Sequence, residues 1–248
     1  DRADVVPEVA ETALEVVPED APPLVRYASE FAYEGDKPLM SIVLIDDGVD
    51  LSGGPIGLEA LGSFPYPITF AVQATLADAA DRMAAYRADG FEVLAMIDLP
   101  DGATAVDAEV TLTSAVSTLP EAVAVMEGVG NQTQTTRSAA EQVSAILSET
   151  GHGFVAQNRG LNTPQKLAAR AGVPSAVVFR DFDAQGQTPT IIRRFLDQAA
   201  FRARQEGAVI MLGRLREDTI SALLVWGLQD RATQVAMAPV SAVLQDTQ

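Results

Sequence analysis

The 248 residues contain no cysteine, one histidine and one tryptophan. Missing thiols exclude disulfides, iron–sulfur clusters and thiolate zinc sites, and leave the cellular compartment open. One histidine, His152, is too few for a metal centre that needs two. Basic residues are also scarce. Seventeen Lys and Arg stand against 34 Asp and Glu, a net charge of −17, which argues against nucleic acid and anionic membrane surfaces as partners. No apolar run approaches the length of a membrane span. The chain opens on DRADVV without a methionine, as expected of a processed or trimmed product, in which any upstream signal peptide or anchor would be invisible.

Hydrophobic residues make up 48% and charged residues 21%, enough for a sizeable core. The first 37 residues differ from the rest. They hold ten acidic residues, three basic ones and four prolines, the composition of an acidic tether or arm. Tyr27, Phe31 and Tyr33 are its candidate docking residues. The expected organisation is therefore an arm over 1–37 and a folded unit over 38–248.

Within that unit, strand-like runs recur at 41–46, 67–72, 91–97, 122–126, 153–156, 175–179, 208–212 and 234–238. Helical patterns lie between them. TLADAADRMAAYRADG has a candidate N-cap in Thr75 and a stop at Gly90. Ala105–Thr118 reads as a helix closed before Pro120. NTPQKLAARAG and TPTIIRRFLDQAAFRARQEG both open on Thr-Pro, a cap followed by the proline suited to the first helical position. Seven or eight βα repeats without a GxGxxG after the first strand predict an α/β barrel with its chemistry at the C-terminal strand ends.

The stretch SIVLIDDGVD places Asp46 and Asp47 at such an end. IDDGVD, ALGSFPYPITFAV, DGFEVLAMIDLP, LPEAVAVMEGVGN, GFVAQNRG, AARAGVPSAVVFRDFD, GAVIMLGRLREDTISAL and APVSAVL follow one another in order. Together they resemble the divergent polysaccharide deacetylase family over about residues 38–244. The resemblance implies a NodB-like irregular (β/α)7 barrel and a hydrolase for acetyl groups of envelope glycans. It also implies a zinc ion held by one Asp and two His, with the neighbouring Asp as base.

Carried over by position, the acid pair is Asp46 and Asp47. The histidine after the family's E-V-L-L falls on Met96. That of its N-N-H-M-G-S segment falls on Gly128, with Asn131 at the serine. The acid of its F-L-D-S segment falls on Ala156, and the histidine of its late G-H-P segment on Arg214. The zinc ligands expected of the family are thus missing. His152 precedes the strand GFVA, at the opposite rim from Asp46, and reads as a helix-terminal or surface residue. Asp98 and Glu127, with Asp46 and Asp47, are the alternative, an all-oxygen site for Mg²⁺ or Ca²⁺. Asp46 or Asp47 also suits the loop GVDLSGG as an acceptor for backbone N–H groups. Arg214 is expected to pair with this acid doublet in place of the lost metal charge.

Other signals are weaker. Asn131 opens an NQT triplet, Trp226 reads as helix packing, DFD at 181–183 reads as a turn, and GGPIG at 53–57 starts a helix. The expectation is a degenerate deacetylase-like barrel that binds an envelope glycan or envelope protein in the periplasm or at an anchor. The rivals are a metal-dependent deacetylase using the oxygen site and a pure protein–protein scaffold.

Overall fold

All eight residues of the first strand, Leu39–Asp46, are buried. Its largely apolar run, broken only by Ser41 before the terminal Asp46, suits a parallel strand covered on both faces. The computed structural model describes residues 17–33, 35–130 and 135–246. Among these residues seven further strands follow: β2 Thr69–Gln73, β3 Glu92–Ile97, β4 Ala124–Glu127, β5 Gly153–Ala156, β6 Ser175–Asp181, β7 Ala208–Arg214 and β8 Ala236–Met237. The order is β2-β3-β4-β5-β6-β7-β1, and a β1–β2 pairing closes the ring. Every pairing is parallel, from Val43 opposite Thr69 to Ile45 opposite Arg214. This is the expected irregular (β/α)7 barrel. The short β8 joins the lower end of β1 at Leu39 and Met40.

Among the described residues nine α-helices accompany the strands: α1 Pro23–Arg26, α2 Leu58–Gly62, α3 Ala79–Ala88, α4 Ala105–Thr118, α5 Arg137–Thr150, α6 Thr163–Arg170, α7 Pro189–Glu206, α8 Glu217–Gly227 and α9 Val240–Asp246. α4 matches its predicted span, and Thr104 with Asp107 forms a capping box at its start. α3 begins later than expected. Thr75 is not its N-cap. The Leu76 and Ala79 N–H groups bond back to Gln73 and Leu76 carbonyls, so a turn intervenes and Asp78 takes the cap position. Among the described residues no helix is long and apolar enough to cross a membrane.

Strand side chains alternate between two cores. Met40, Ile42, Leu44, Phe70 and Val72 face the helices. Val43, Ile45, Ala71, Leu94, Met96, Met126 and Leu212 fill the barrel interior. A β-bulge between Val178 and Arg180 re-phases β6, so that Asp181 lies opposite the interior residue Leu212 and Phe182 joins the helix layer. The Phe182 ring then occupies the place of a Cβ on Gly213, which explains glycine there.

The N-terminal end of the barrel is stoppered. Leu24 of α1 and Val240, Val243 and Leu244 of α9 complete the interior cluster, with Tyr27 and Phe31 packed against it. Buried Glu92 ties the two segments together by accepting from the N–H groups of Ser29 and Ser241, at 2.9 and 3.0 Å. Tyr33 stacks on Phe31 but stays partly exposed.

Candidate functional site

The parity of β1 separates the two acids. Even-numbered residues of this strand face the helices, so Asp46 turns away from the barrel interior and is fully buried. Arg82 Nη1 donates to both of its oxygens at 3.0 Å, and the Tyr86 hydroxyl donates to Oδ2 at 2.8 Å. Gly48 N–H donates to Oδ1 at 3.0 Å, the loop-tying bond expected for the doublet. Arg82 also holds the Val49 carbonyl and the Asp78 carboxylate. Burial, then the Asp46 charge, raises the Tyr86 hydroxyl far above the ordinary phenol range. Asp46 is thus a fully engaged carboxylate, while Asp47 is exposed at the rim.

Arg214 forms a guanidinium–carboxylate cluster, but not with the doublet. It donates to both oxygens of Asp181 at 2.8 and 2.9 Å and to Asp183 at 2.7 Å. Asp183 is buried and also receives the Arg214 backbone N–H and the Thr219 hydroxyl. The expected pairing of Arg214 with Asp46 or Asp47 is therefore corrected. The β6 bulge places two nearer acids beside it, and Asp46 faces the other core.

Met96, at a ligand position of the family, is buried among the interior apolar residues. Gly128 stands against Asp98, whose carboxylate fills the space that a Cβ on Gly128 would need. Gly130 N–H and the Gln73 amide hold that carboxylate, at 3.1 and 3.2 Å. Ala156 is buried in the helix-side core. Asn131 lies outside the described residues.

The zinc triad implied by the family does not fit these residues. A thioether, a hydrogen atom and a committed guanidinium stand at the three positions carried over from family histidines, so none of the three can supply the two nitrogen donors the ion needs. The alternative oxygen set fails on geometry. Asp46 faces the helices, Glu127 is bound elsewhere, and among the described residues no three His, Asp or Glu side chains gather as a metal would require. His152 sits at the opposite rim as predicted, yet it is buried and not a surface residue. Its Nδ1 pairs with Thr150 at 2.9 Å, its Nε2 has no partner among the described residues, and burial lowers its pKa to about 4.

Glu127, at the end of β4, accepts from Thr135 Oγ1 at 3.1 Å and from Gln157 N–H at 2.9 Å. Burial raises its pKa against the opposing pull of these bonds and of Arg159. It forms one wall of a cleft with Thr135, Arg137, Gln157, Arg159 and Pro164. A smaller recess beside it adds the apolar side chains of Ile97, Leu99, Val143 and Phe154 to Asp98, Glu127 and Arg159. The rim therefore offers hydrogen-bonding groups over an apolar floor, a lining suited to holding a polar ligand.

Arg82, Tyr86, Asp181, Asp183 and Arg159 are the rim residues that sequence reasoning missed. Arg82 and Tyr86 stand four apart on α3, on one helix face. The two acids of DFD stand two apart, the spacing of a shared strand face.

A family model described as divergent polysaccharide deacetylase matches residues 43–244. No curated protein matches. Among solved structures, an uncharacterized protein of Agrobacterium tumefaciens C58 is similar with a TM-score of 0.78 at 20% identity, over 90% of this chain and 95% of that one. A candidate polysaccharide deacetylase of Mycobacterium smegmatis is similar with a TM-score of 0.60 at 14% identity, over 88% and 93%. The Xyl-CE4 domain of a multidomain xylanase from the hindgut metagenome of Trinervitermes trinervoides gives 0.51 at 12%, over 85% and 91%. These likenesses carry the fold; function has to come from the rim itself.

Proposed function

This chain belongs to the divergent polysaccharide deacetylase family, and from that membership we propose that it is a zinc-free relative that binds an envelope glycan without deacetylating it. In this reading the barrel unit is residues 38–248 and the acidic stretch 1–37 is an appendage to it, of which Leu24, Tyr27 and Phe31 pack on the barrel. The glycan class comes from the family description, and the periplasmic or envelope-anchored setting follows from that class of ligand.

The observation that carries the reading is the contact between Asp98 and Gly128. A histidine at 128 needs the volume that the Asp98 carboxylate fills, so regaining one ligand demands a second change. The Arg214 cluster adds to this. A guanidinium held by two carboxylates puts a fixed, already neutralised cation at another ligand position. What is left at the rim is a set of donors and acceptors suited to binding. Asp98, Glu127 and the exposed Asp47 take part as hydrogen-bonding groups. Met96 and Arg214 shape the floor and the wall.

Co-sedimentation with purified peptidoglycan, run beside an acetate-release assay on acetylated chito-oligosaccharides, tests the proposal. It predicts retention without acetate release. Acetate release would restore the hydrolase alternative. Loss of retention, with recovery of a stoichiometric envelope protein, would favour the scaffold alternative.

A further inference from the structure

The cleft at Glu127 and Arg159 lies beside the old metal position and is built from the ends of β4 and β5 and the starts of α5 and α6. Its lining is rich in arginine for so acidic a chain. In a protein with 17 basic and 34 acidic residues, two arginines, Arg137 and Arg159, line this one cleft. The first turns of both helices carry no acidic residue, so their partial positive charge is not offset there.

The donors at the cleft are only partly used. Arg159 has five N–H groups to give. Among the described residues, its side chain makes one hydrogen bond, from Nη2 to the Gly128 carbonyl at 3.2 Å. Arg137 meets Glu141 in an exposed pair, which a ligand can displace at little cost. Asn162, the cap residue of α6, makes no side-chain cap bond. Its Oδ1 accepts from the Arg159 N–H at 3.2 Å instead. The carboxylate that lines the cleft, Glu127, already accepts from Thr135 and Gln157. It faces Arg159, while the partner of Arg137 is the displaceable Glu141, and the α6 terminus stays open.

We infer that this cleft binds a sugar carrying a carboxylate, with Arg159 as the principal partner of that carboxylate and Arg137 as a second. The inference rests on the glycan-binding proposal and narrows it from glycans in general to acidic ones. A guanidinium matches a carboxylate with paired N–H donors, a fit that a hydroxyl or amide does not reproduce. Ile97, Leu99 and Phe154 of the adjoining recess give apolar contact to a substituent on the same sugar.

N-acetylmuramic acid and its carboxamide differ in the charge of one group, and titration of the full chain with each, followed by calorimetry or amide NMR, tests the inference. The acid should bind about tenfold more tightly than the carboxamide, the scale of one charge-assisted hydrogen-bonding pair. Arg159→Gln should abolish that preference, and Arg137→Gln, at an exposed site that leaves folding intact, should reduce it. Equal affinity for acid and carboxamide in the unaltered protein, with peptidoglycan still retained, overturns the inference and leaves glycan binding standing. Failure to bind either sugar or peptidoglycan overturns both.

Discussion

Asp46 is fully buried and meets Arg82 through a 3.0 Å contact to each carboxylate oxygen. The first acid of the doublet is thus tied to the α3 helix and its neighbour alone looks out of the barrel. Removing one member of a buried ion pair leaves the other as an uncompensated charge. Arg82→Ala is accordingly expected to lower stability by about 3 kcal/mol or more in urea denaturation. Pairing it with Asp46→Asn should recover part of that loss. A change below about 0.5 kcal/mol, the scale of an exposed pair, would show that the contact is not the anchor it is taken to be.

His152 gives the fold an acid-sensitive element. Its folded pKa is about 4 against an ordinary value of 6.5, so between those values the unfolded chain binds one proton more than the folded one. Stability from this residue is therefore present above pH 6.5 and lost as pH falls towards 4, about 3 kcal/mol at most. Denaturation midpoints of the parent and of His152→Gln, compared from pH 7 to pH 4.5, should converge as the pH falls. Parallel pH profiles would contradict a buried neutral imidazole.

The 17–33 segment is also part of the folded structure. Leu24 is 3% exposed inside the barrel cluster, and Leu24→Ala is expected to cost about 2–4 kcal/mol, as for other buried leucines. Thermal unfolding that is unaffected by the change would mean that the 17–33 segment does not stopper the barrel in solution.

Asp98 and Gly128 should be energetically coupled. Gly128→Ala alone forces a Cβ into the Asp98 carboxylate and is expected to destabilise by about 1–3 kcal/mol. In an Asp98→Ala background much of that cost should vanish, because residues sharing one space do not add independently. Additive losses in a double-mutant cycle would refute the shared-space account.

The barrel was legible from the sequence because each strand is a short aliphatic run set between amphipathic helices with their own caps and stops. Ala105–Thr118 illustrates this, since Thr104 and Asp107 mark its start in the chain as they do in space. Side-chain facing was not legible. β1 is apolar on both faces, so nothing in SIVLID distinguishes interior positions from helix-facing ones, and Asp46 and Asp47 looked equivalent. Arg214 drew the wrong partner for a related reason. The bulge that aims Asp181 at it leaves no mark in SAVVFRD, although the paired acids of DFD, two residues apart, offered a signal. The missing histidines were fully legible, because an absent residue type needs no geometry.

Elemental analysis of the full chain, purified without chelators and then dialysed against zinc, tests the central claim most directly. With a methionine, a glycine backed by Asp98 and a neutralised arginine at the ligand positions, zinc should stay far below one equivalent and acetate release should remain at background. One tightly held zinc per chain, together with zinc-dependent release of acetate from an acetylated glycan, would contradict the account.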